Sequence, residues 1–526
     1  MLSNSELYGK SQSFWRVYSE KLTWAFIMVF LLIFPLFVDG TGYTKITEAK
    51  YHFFVWATSI YLGLIFLGYI AALLMREVKF SSLKQVFKSS SLTQKAITAF
   101  LLVVMVSAAF SPYKVFMWVG IGRYDGLLTI LLYCLTFFTV STFGKLDKWH
   151  ILGFMVSMSV LSVIGLLQYF GVNVFGLYPT GYNFLNSSFI TTVGNINMTS
   201  GMLCIAIPLF VTTFIVSKDR YRFLSLAVGA LCLFVEVICR TDGGLVGLAV
   251  SFLILIPIVL NTKERFANGL IAGFVLSAVL ALKSILTVTF KGNAHICSVS
   301  VTSTTYICIV AMAVCAVLWA VLKAFQKKIN ISQKIMSVIL STIVIVAVVG
   351  GIAAVYFGGD RFSRGPIYEM SQMMHGNFND RFGSGRIFLW KRCIPLIKEN
   401  PIIGTGPDSF LNVFMNRYTE DIKAYEKNGG IVMYDFAHND YIQIMINYGI
   451  LGLIAYLTAL FGTAKKGLST SKFNPKVLIL GSAVLCYCVQ IFFSFSIVMV
   501  APVFWILFAL LDRENRDTVM LSAVGD

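Results

Sequence analysis

Again and again along its 526 residues this chain runs apolar for long enough to cross a bilayer, and that repetition constrains its fold more than any motif. A helix of about 20 residues spans a hydrocarbon core of roughly 30 Å. Backbone groups in lipid have to be satisfied inside the segment, so only helices or a closed barrel are available there. A barrel would alternate apolar and polar residues in strands of about ten. The apolar runs here are continuous instead, near 23–39, 51–75, 95–110, 124–143, 150–171, 197–216, 223–239, 243–260, 268–287, 304–325, 335–357, 438–462, 476–493 and 495–511. The expected fold is an all-α polytopic membrane protein of about 12–14 transmembrane helices. One large extracytoplasmic helical loop interrupts the series. The last two runs form a tight hairpin, with 494–501 as a possible kink in one re-entrant unit.

With 57% hydrophobic and 13% charged residues, a soluble globular chain is excluded. The net charge of +17 suggests nucleic acid at first sight, but its distribution reads as topology. With the N-terminus inside, about 25 of the 42 Lys and Arg fall in inward segments. Short loops rich in positive charge resist translocation. Both termini are therefore expected in the cytoplasm and the long loop outside. That loop carries about ten basic and nine acidic residues, which leaves no basic surface for a nucleic-acid partner. The ten cysteines lie mostly inside apolar runs and none has metal-ligand spacing, so neither a metal nor a cofactor is expected. Lys10, Arg16 and Lys21 precede the first run, which reads as a retained signal anchor. The expected division is 1–357 (eleven spans), 358–437 (loop subdomain), 438–511 (C-terminal spans) and 512–526 (cytoplasmic tail).

The loop has local structure of its own. Ser384 is placed to cap a helix from Arg386 to about Lys398, with Ile387, Trp390, Ile394 and Ile397 near one face. Asn400-Pro401 stops it, and Gly404-Thr405-Gly406-Pro407 reads as a tight turn. Asp408 is placed to cap a second helix over 409–427, with Phe410, Phe414 and Tyr418 every four residues. The two helices would form a lid, apolar faces towards each other and the bundle. The uncharged loop 172–196, rich in Gly, Asn, Tyr and Phe, suits packing over a cavity or against sugar rings, or a plain buried connection.

Four residues stand out for chemistry, each with a plainer reading beside it. Arg386 offers a planar fork of donors suited to phosphate oxygens, or is a solvated helix charge. Arg240 follows Glu236 at i, i+4 within an apolar run; an ionisable group there is a functional candidate, or the two form a structural ion pair. Arg123, in Gly122-Arg123-Tyr124-Asp125-Gly126, has interfacial snorkelling as its plainer reading. His438 opens the polar run His438-Asn439-Asp440-Tyr441-Ile442-Gln443 at a span boundary, where an imidazole can take a proton from a hydroxyl, or is structural. No nucleotide-binding loop is present, so an activated donor would have to come from the lipid. A lipid diphosphate meets that need and calls for Arg at the outer boundary.

In these residues the chain resembles the O-antigen ligase and polymerase family of bacterial surface-polysaccharide enzymes. The resemblance rests on Arg386-x3-Trp390, Pro401-x2-Gly404-x-Gly406-x3-Phe410, His438-Asn439-x-Tyr441-x-Gln443 and Tyr448-Gly449-Ile450-Leu451-Gly452. Weaker echoes are Gly122-Arg123-x2-Gly126, Gly194-Asn195-x-Asn197 and the Arg240 turn. It implies a metal-independent, inverting glycosyltransferase of the bacterial inner or plasma membrane. Its donor would be a glycan on undecaprenyl diphosphate and its acceptor a glycan or glycolipid, in contact with membrane lipid. Carried over, His438 is the catalytic base, and Arg240 and Arg386 bind the diphosphate. Arg123, Glu236, Asp242, Trp390, Asn439, Asp440 and Tyr441 would support them. The family has Ser-Arg-Gly where this chain reads Cys239-Arg240-Thr241-Asp242-Gly243, so the matching position is Arg240 or Asp242. A flippase for lipid-linked polysaccharide is the alternative from another class; it would concentrate ionisable groups near the midplane, where this chain has few.

Overall fold

The structure, a computed structural model, describes residues 13–79, 85, 88–179, 189–291, 294–325, 331–431, 433–472 and 474–525. Seventeen helices are found among them, so the chain is all-α and polytopic. In order they are α1 (Phe14–Met28), α2 (Ile46–Leu74), α3 (Leu92–Phe110), α4 (Leu127–Phe143), α5 (Lys148–Tyr169), α6 (Ile196–Val216), α7 (Tyr221–Cys239), α8 (Asp242–Val259), α9 (Lys263–Ile285), α10 (Ser303–Ala324) and α11 (Gln333–Gly358). Then follow α12 (Pro366–Met374), α13 (Arg386–Glu399), α14 (Phe410–Lys427), α15 (Asp440–Thr470), α16 (Pro475–Gln490) and α17 (Ala501–Gly525). Eleven helices among the described residues are long and apolar enough to cross a membrane, and α4 and α16 are shorter apolar ones. Each expected apolar run falls on a helix, the last beginning only at Ala501 because 491–500 is irregular.

The layout follows from which helices can hide their whole circumference. α6 is apolar on every side and almost entirely buried, at the centre between α7 and α16. Ser482 of α16 donates to the Pro208 carbonyl of α6 at 3.1 Å, a polar tie across that dry contact. α17 is buried throughout its first eleven residues. α10 and α11 lie at the periphery, apolar and mostly exposed, as lipid-facing helices must be. α1 breaks at its C-terminal end into a π turn (Val29–Ile33) and a 3-10 turn at Pro35. The freed Phe34 and Pro35 carbonyls accept the buried Lys50 ammonium at 2.6 and 3.1 Å. Residues 512–525, set apart above as a tail, continue α17, with Asp512, Glu514 and Asn515 buried against neighbouring helices.

The long loop is tied to the bundle by backbone. α15 is broken at Gly449, whose φ of 66° and ψ of −171° suit glycine alone. Groups freed by the break pair with the turn after α13. Thr405 and Gly406 N–H donate to the Ile446 and Asn447 carbonyls at 3.0 and 2.9 Å, and Ile450 N–H donates to the Pro401 carbonyl at 2.8 Å. A Cβ at Gly404 or Gly449 would run into that opposing backbone. Irregular backbone inside a bundle is tolerated only when another segment satisfies it in this way. Above the turn, Phe388, Leu389, Cys393 and Leu396 of α13 meet Phe410 and Phe414 of α14 in a small core of their own. Phe410, Phe414 and Tyr418 succeed one another at ring spacings of 5.3 Å.

Several expectations are corrected. Ser384 does not cap α13: Gly383, Ser384 and Gly385 all have positive φ, and Gly385 is the cap residue without a side-chain bond. Asp408 does not cap α14, because Ser409 occupies that position and the Asp408 carboxylate is drawn elsewhere. Ile394 points outward, exposed, while Phe388 and Leu389 are buried. Helix α12 was not foreseen. Neither were the antiparallel pairs β1 (Phe189–Ile190) with β2 (Gly194–Asn195), and β3 (Leu286–Lys291) with β4 (Ala294–Val299). Most of the 172–196 reading concerns 180–188, outside the described residues.

Candidate active site

His438 sits at a corner that three elements hold rigid. Asn439 caps α15, its Oδ1 accepting from Ile442 N–H at 3.0 Å. The peptide before the histidine is gripped at both ends. Trp390 Nε1–H of α13 donates to the Ala437 carbonyl at 2.9 Å, and Ala437 N–H donates to Gln443 Oε1 at 3.0 Å. His438 itself has a φ of +51°, a conformation that persists only when its surroundings impose it. Asp440 takes Ser496 N–H on Oδ1 at 3.1 Å and donates its own N–H to the Ile491 carbonyl. Tyr441 donates to the Cys488 carbonyl at 2.7 Å. In the polar run read from the sequence, Asn439, Asp440, Tyr441 and Gln443 are thus all engaged in fixed hydrogen bonds that frame His438.

The tautomer follows from the partner. Nε2 of His438 lies 3.1 Å from the Met433 carbonyl, which can only accept, so Nε2 carries the proton and Nδ1 the lone pair. Burial, then the Arg386 and Arg123 cations, push the imidazole pKa down to about 4, against the Asp435 carboxylate and the Met433 carbonyl. The ring is neutral at physiological pH.

Arg386 is the first residue of α13, mostly buried. A cation at a helix N-terminus opposes the helix dipole, at a cost of roughly 0.3–1 kcal/mol. Helix stability does not explain its place. Its Nη1 donates to the Gly383 carbonyl at 2.8 Å and its Nη2 to the Phe493 carbonyl at 3.0 Å. Its Nε is buried without a partner among the described residues. Burial lowers its pKa and Asp242 opposes that shift.

Arg123 is not a snorkelling residue. It pairs with Asp435 through Nε, at 2.8 Å, and Nη2, and lies 5.2 Å above the Phe495 ring. Phe495 also meets His438 edge-on at 5.2 Å and stacks on Phe436 at 4.9 Å. The α3–α4 loop bearing Arg123 is held in turn by Asp408, whose Oδ2 accepts from Ile121 N–H at 2.5 Å. Burial raises the Asp408 pKa to about 7, against that hydrogen bond and Arg123.

Glu236 and Arg240 do not pair. Arg240 is the left-handed residue that ends α7, with a φ of 53°, and this turns its side chain off the helix face that carries Glu236. Glu236 Oε1 accepts from Ser200 at 2.6 Å and Thr241 at 3.4 Å. Arg240 is exposed and makes no ion pair among the described residues. The turn after it abuts Phe493, since a Cβ at Gly243 would stand 3.0 Å from that side chain. Asp242 therefore lies close enough to act on Arg386, whereas Arg240 does not figure among the charges that act on His438 or Arg386 within the described residues.

The structure thus brings His438, Arg386, Arg123, Asp242, Trp390, Asn439, Asp440 and Tyr441 to one region and leaves Arg240 at its margin. The sequence reading missed Asp435, Gln443, Phe495 and the Phe493 carbonyl. Gln443 lay within the quoted motif, but nothing marked two phenylalanines in an apolar run.

A helical membrane protein with a histidine and arginines gathered where a long loop meets the bundle defines a class: a multispan protein with a polar site at its boundary. Residues 295–457 match the family model described as O-antigen ligase, a span that includes Arg386 and His438. That match covers less than half of the chain; over it the sequence is similar to the O-antigen ligase domain, and the helices around it are long and apolar enough to cross a membrane. No curated protein matches the chain.

Proposed function

We propose that the chain transfers a glycan from undecaprenyl diphosphate to an acceptor hydroxyl on the outer side of the bacterial inner or plasma membrane. The observation that carries this is His438 at the foot of the loop, with Arg386 and Arg123 close enough to its imidazole to disfavour the charged form. His438 Nδ1 removes the acceptor hydroxyl proton. The oxygen bonds to the anomeric carbon from the face opposite the diphosphate, the bond from that carbon to the diphosphate breaks, and the electron pair leaves with the lipid. Direct displacement inverts the anomeric centre. Arg386, whose Nε has no other partner, and Arg123 stabilise the leaving charge where water is scarce. Arg240 is kept as a contact for the outer phosphate, with Asp242 orienting Arg386. No metal is needed in this scheme.

An apolar trench of about 550 Å³ supports a lipid-linked donor. It is lined by Ile254 of α8, by Leu457 and Phe461 of α15 and by Leu485 and Val489 of α16, and reaches Phe492 beside Trp390. The test is glycan transfer in membranes carrying His438→Ala or Arg386→Ala at normal expression. The first should fall by about 10²–10⁴-fold and the second by roughly 10²–10³-fold. Wild-type turnover by His438→Ala removes the reading. Deletion distinguishes the acceptors: single repeats left on lipid indicate a polymerase, long chains left on lipid a ligase.

A further inference from the structure

One carboxylate in the site has no task in the scheme above. Asp435 uses Oδ2 for Arg123. Its Oδ1 is closed off from solvent and accepts no hydrogen bond among the described residues. That oxygen nevertheless stands 4.0 Å from His438 Nε2, just beyond hydrogen-bond range. A buried acceptor left unsatisfied is costly, and such groups in a native fold call for an explanation. Among the described residues the Nε2–H of His438 has only the neutral Met433 carbonyl as hydrogen-bond partner, at 3.1 Å.

We propose that Asp435 is the positioning residue of His438, receiving the Nε2–H on Oδ1 when Nδ1 takes up the acceptor's proton. The inference rests on His438 being the base. One O–H bond breaks and one Nδ1–H bond forms; the Nε2 proton stays on its nitrogen and only changes acceptor, from the Met433 carbonyl to the carboxylate. A small rotation of the ring suffices, because both acceptors already lie on the Nε2 side. The gain is a full negative charge facing the new imidazolium where two cations otherwise oppose it. Arg123, by occupying Oδ2, leaves Oδ1 as the oxygen available to the ring.

The charged groups facing His438 are Arg386 from α13, Arg123 from the α3–α4 loop and Asp435 from its own segment. Asp440, two residues on, is committed to Ser496 N–H. The two arginines disfavour the imidazolium and Asp435 favours it. Removing Asp435 should therefore move the acid limb of the activity profile to lower pH, and removing Arg123 should move it to higher pH. An ion pair serving only to hold the fold would give losses of the same kind from either side.

The experiment measures initial transfer rates from pH 3.5 to 9 in membranes carrying Asp435→Asn, Asp435→Glu and Arg123→Gln. Asp435→Asn should lose about tenfold or more in turnover, with donor KM within about twofold and the acid limb displaced downward. Asp435→Glu should restore the limb position, and Arg123→Gln should displace it upward. Wild-type turnover with an unmoved limb in Asp435→Asn overturns the proposal, as do limbs that move the same way in Asp435→Asn and Arg123→Gln. Full activity of His438→Ala would instead strike the base assignment itself.

Discussion

In its proposed role as base, His438 with a pKa held near 4 would be a poor proton acceptor at neutral pH unless substrate raised that pKa. Part of that depression comes from the arginines the donor would engage. A bound diphosphate would neutralise Arg386 and Arg123 and relieve the repulsion they exert on an imidazolium. In the proposed scheme His438 works as the neutral form, so its pKa would appear as the acid limb of the rate. The limb of kcat should therefore lie at higher pH than the limb of kcat/KM, which reports the free enzyme. Coincident limbs in a steady-state pH series would contradict this coupling. The same residues show where reading from sequence stops. His438 was conspicuous as a polar group beside an apolar run, whereas Arg386, on a loop helix, was singled out for its fork of donors and by the resemblance. The Glu236–Arg240 pair failed because i, i+4 spacing holds only while the helix lasts, and a left-handed Arg240 ends it.

Among the elements, the joint between the loop and α15 shows what the quoted glycines do. Gly404 was read as part of a tight turn and Gly449 only as part of a resemblance; in the fold they allow two backbones to touch. Gly449→Ala would place a methyl against the Ile402 carbonyl in a conformation alanine avoids. It should weaken the docking by about 1–3 kcal/mol or more, seen as protease cleavage after the loop arginines and a lowered Tm in detergent. Unchanged cleavage and Tm would show that the loop tolerates a shifted joint. The helices of the loop were legible from periodicity, whereas their caps were not. Ser384 and Asp408 have the right chemistry for capping, but tertiary contacts took precedence, with Asp408 recruited to Ile121 N–H. The short hairpins lay between expected spans, the first in the uncharged 172–196 loop and the second between the runs 268–287 and 304–325, where no strand was read.

At the scale of the molecule, charge bias proposes an orientation that accessibility can check. With Cys297, the exposed native cysteine, replaced by serine, Glu420→Cys on the loop should react in intact cells with a membrane-impermeant maleimide. Lys145→Cys, between α4 and α5, should react only after permeabilisation. The reverse pattern would turn the protein over and place the site on the cytoplasmic side. The bundle itself was the most legible part, because the absence of water leaves a chain of this composition so few alternatives. Which helix lies at the centre was not: α6 and α11 are similarly apolar, and only packing separates the first, almost wholly buried, from the second, almost wholly exposed.

The ten residues between α16 and α17 hold Arg386 and the head of α15 through their main chain, by way of the Phe493 and Ile491 carbonyls and Ser496 N–H. Side-chain mutagenesis is largely blind to such a grip, since every amino acid except proline brings the same amide. A saturation screen would score this stretch as merely hydrophobic. Only chemical editing of the peptide link, such as an ester between Phe493 and Ser494 that weakens the carbonyl as an acceptor, would expose its contribution.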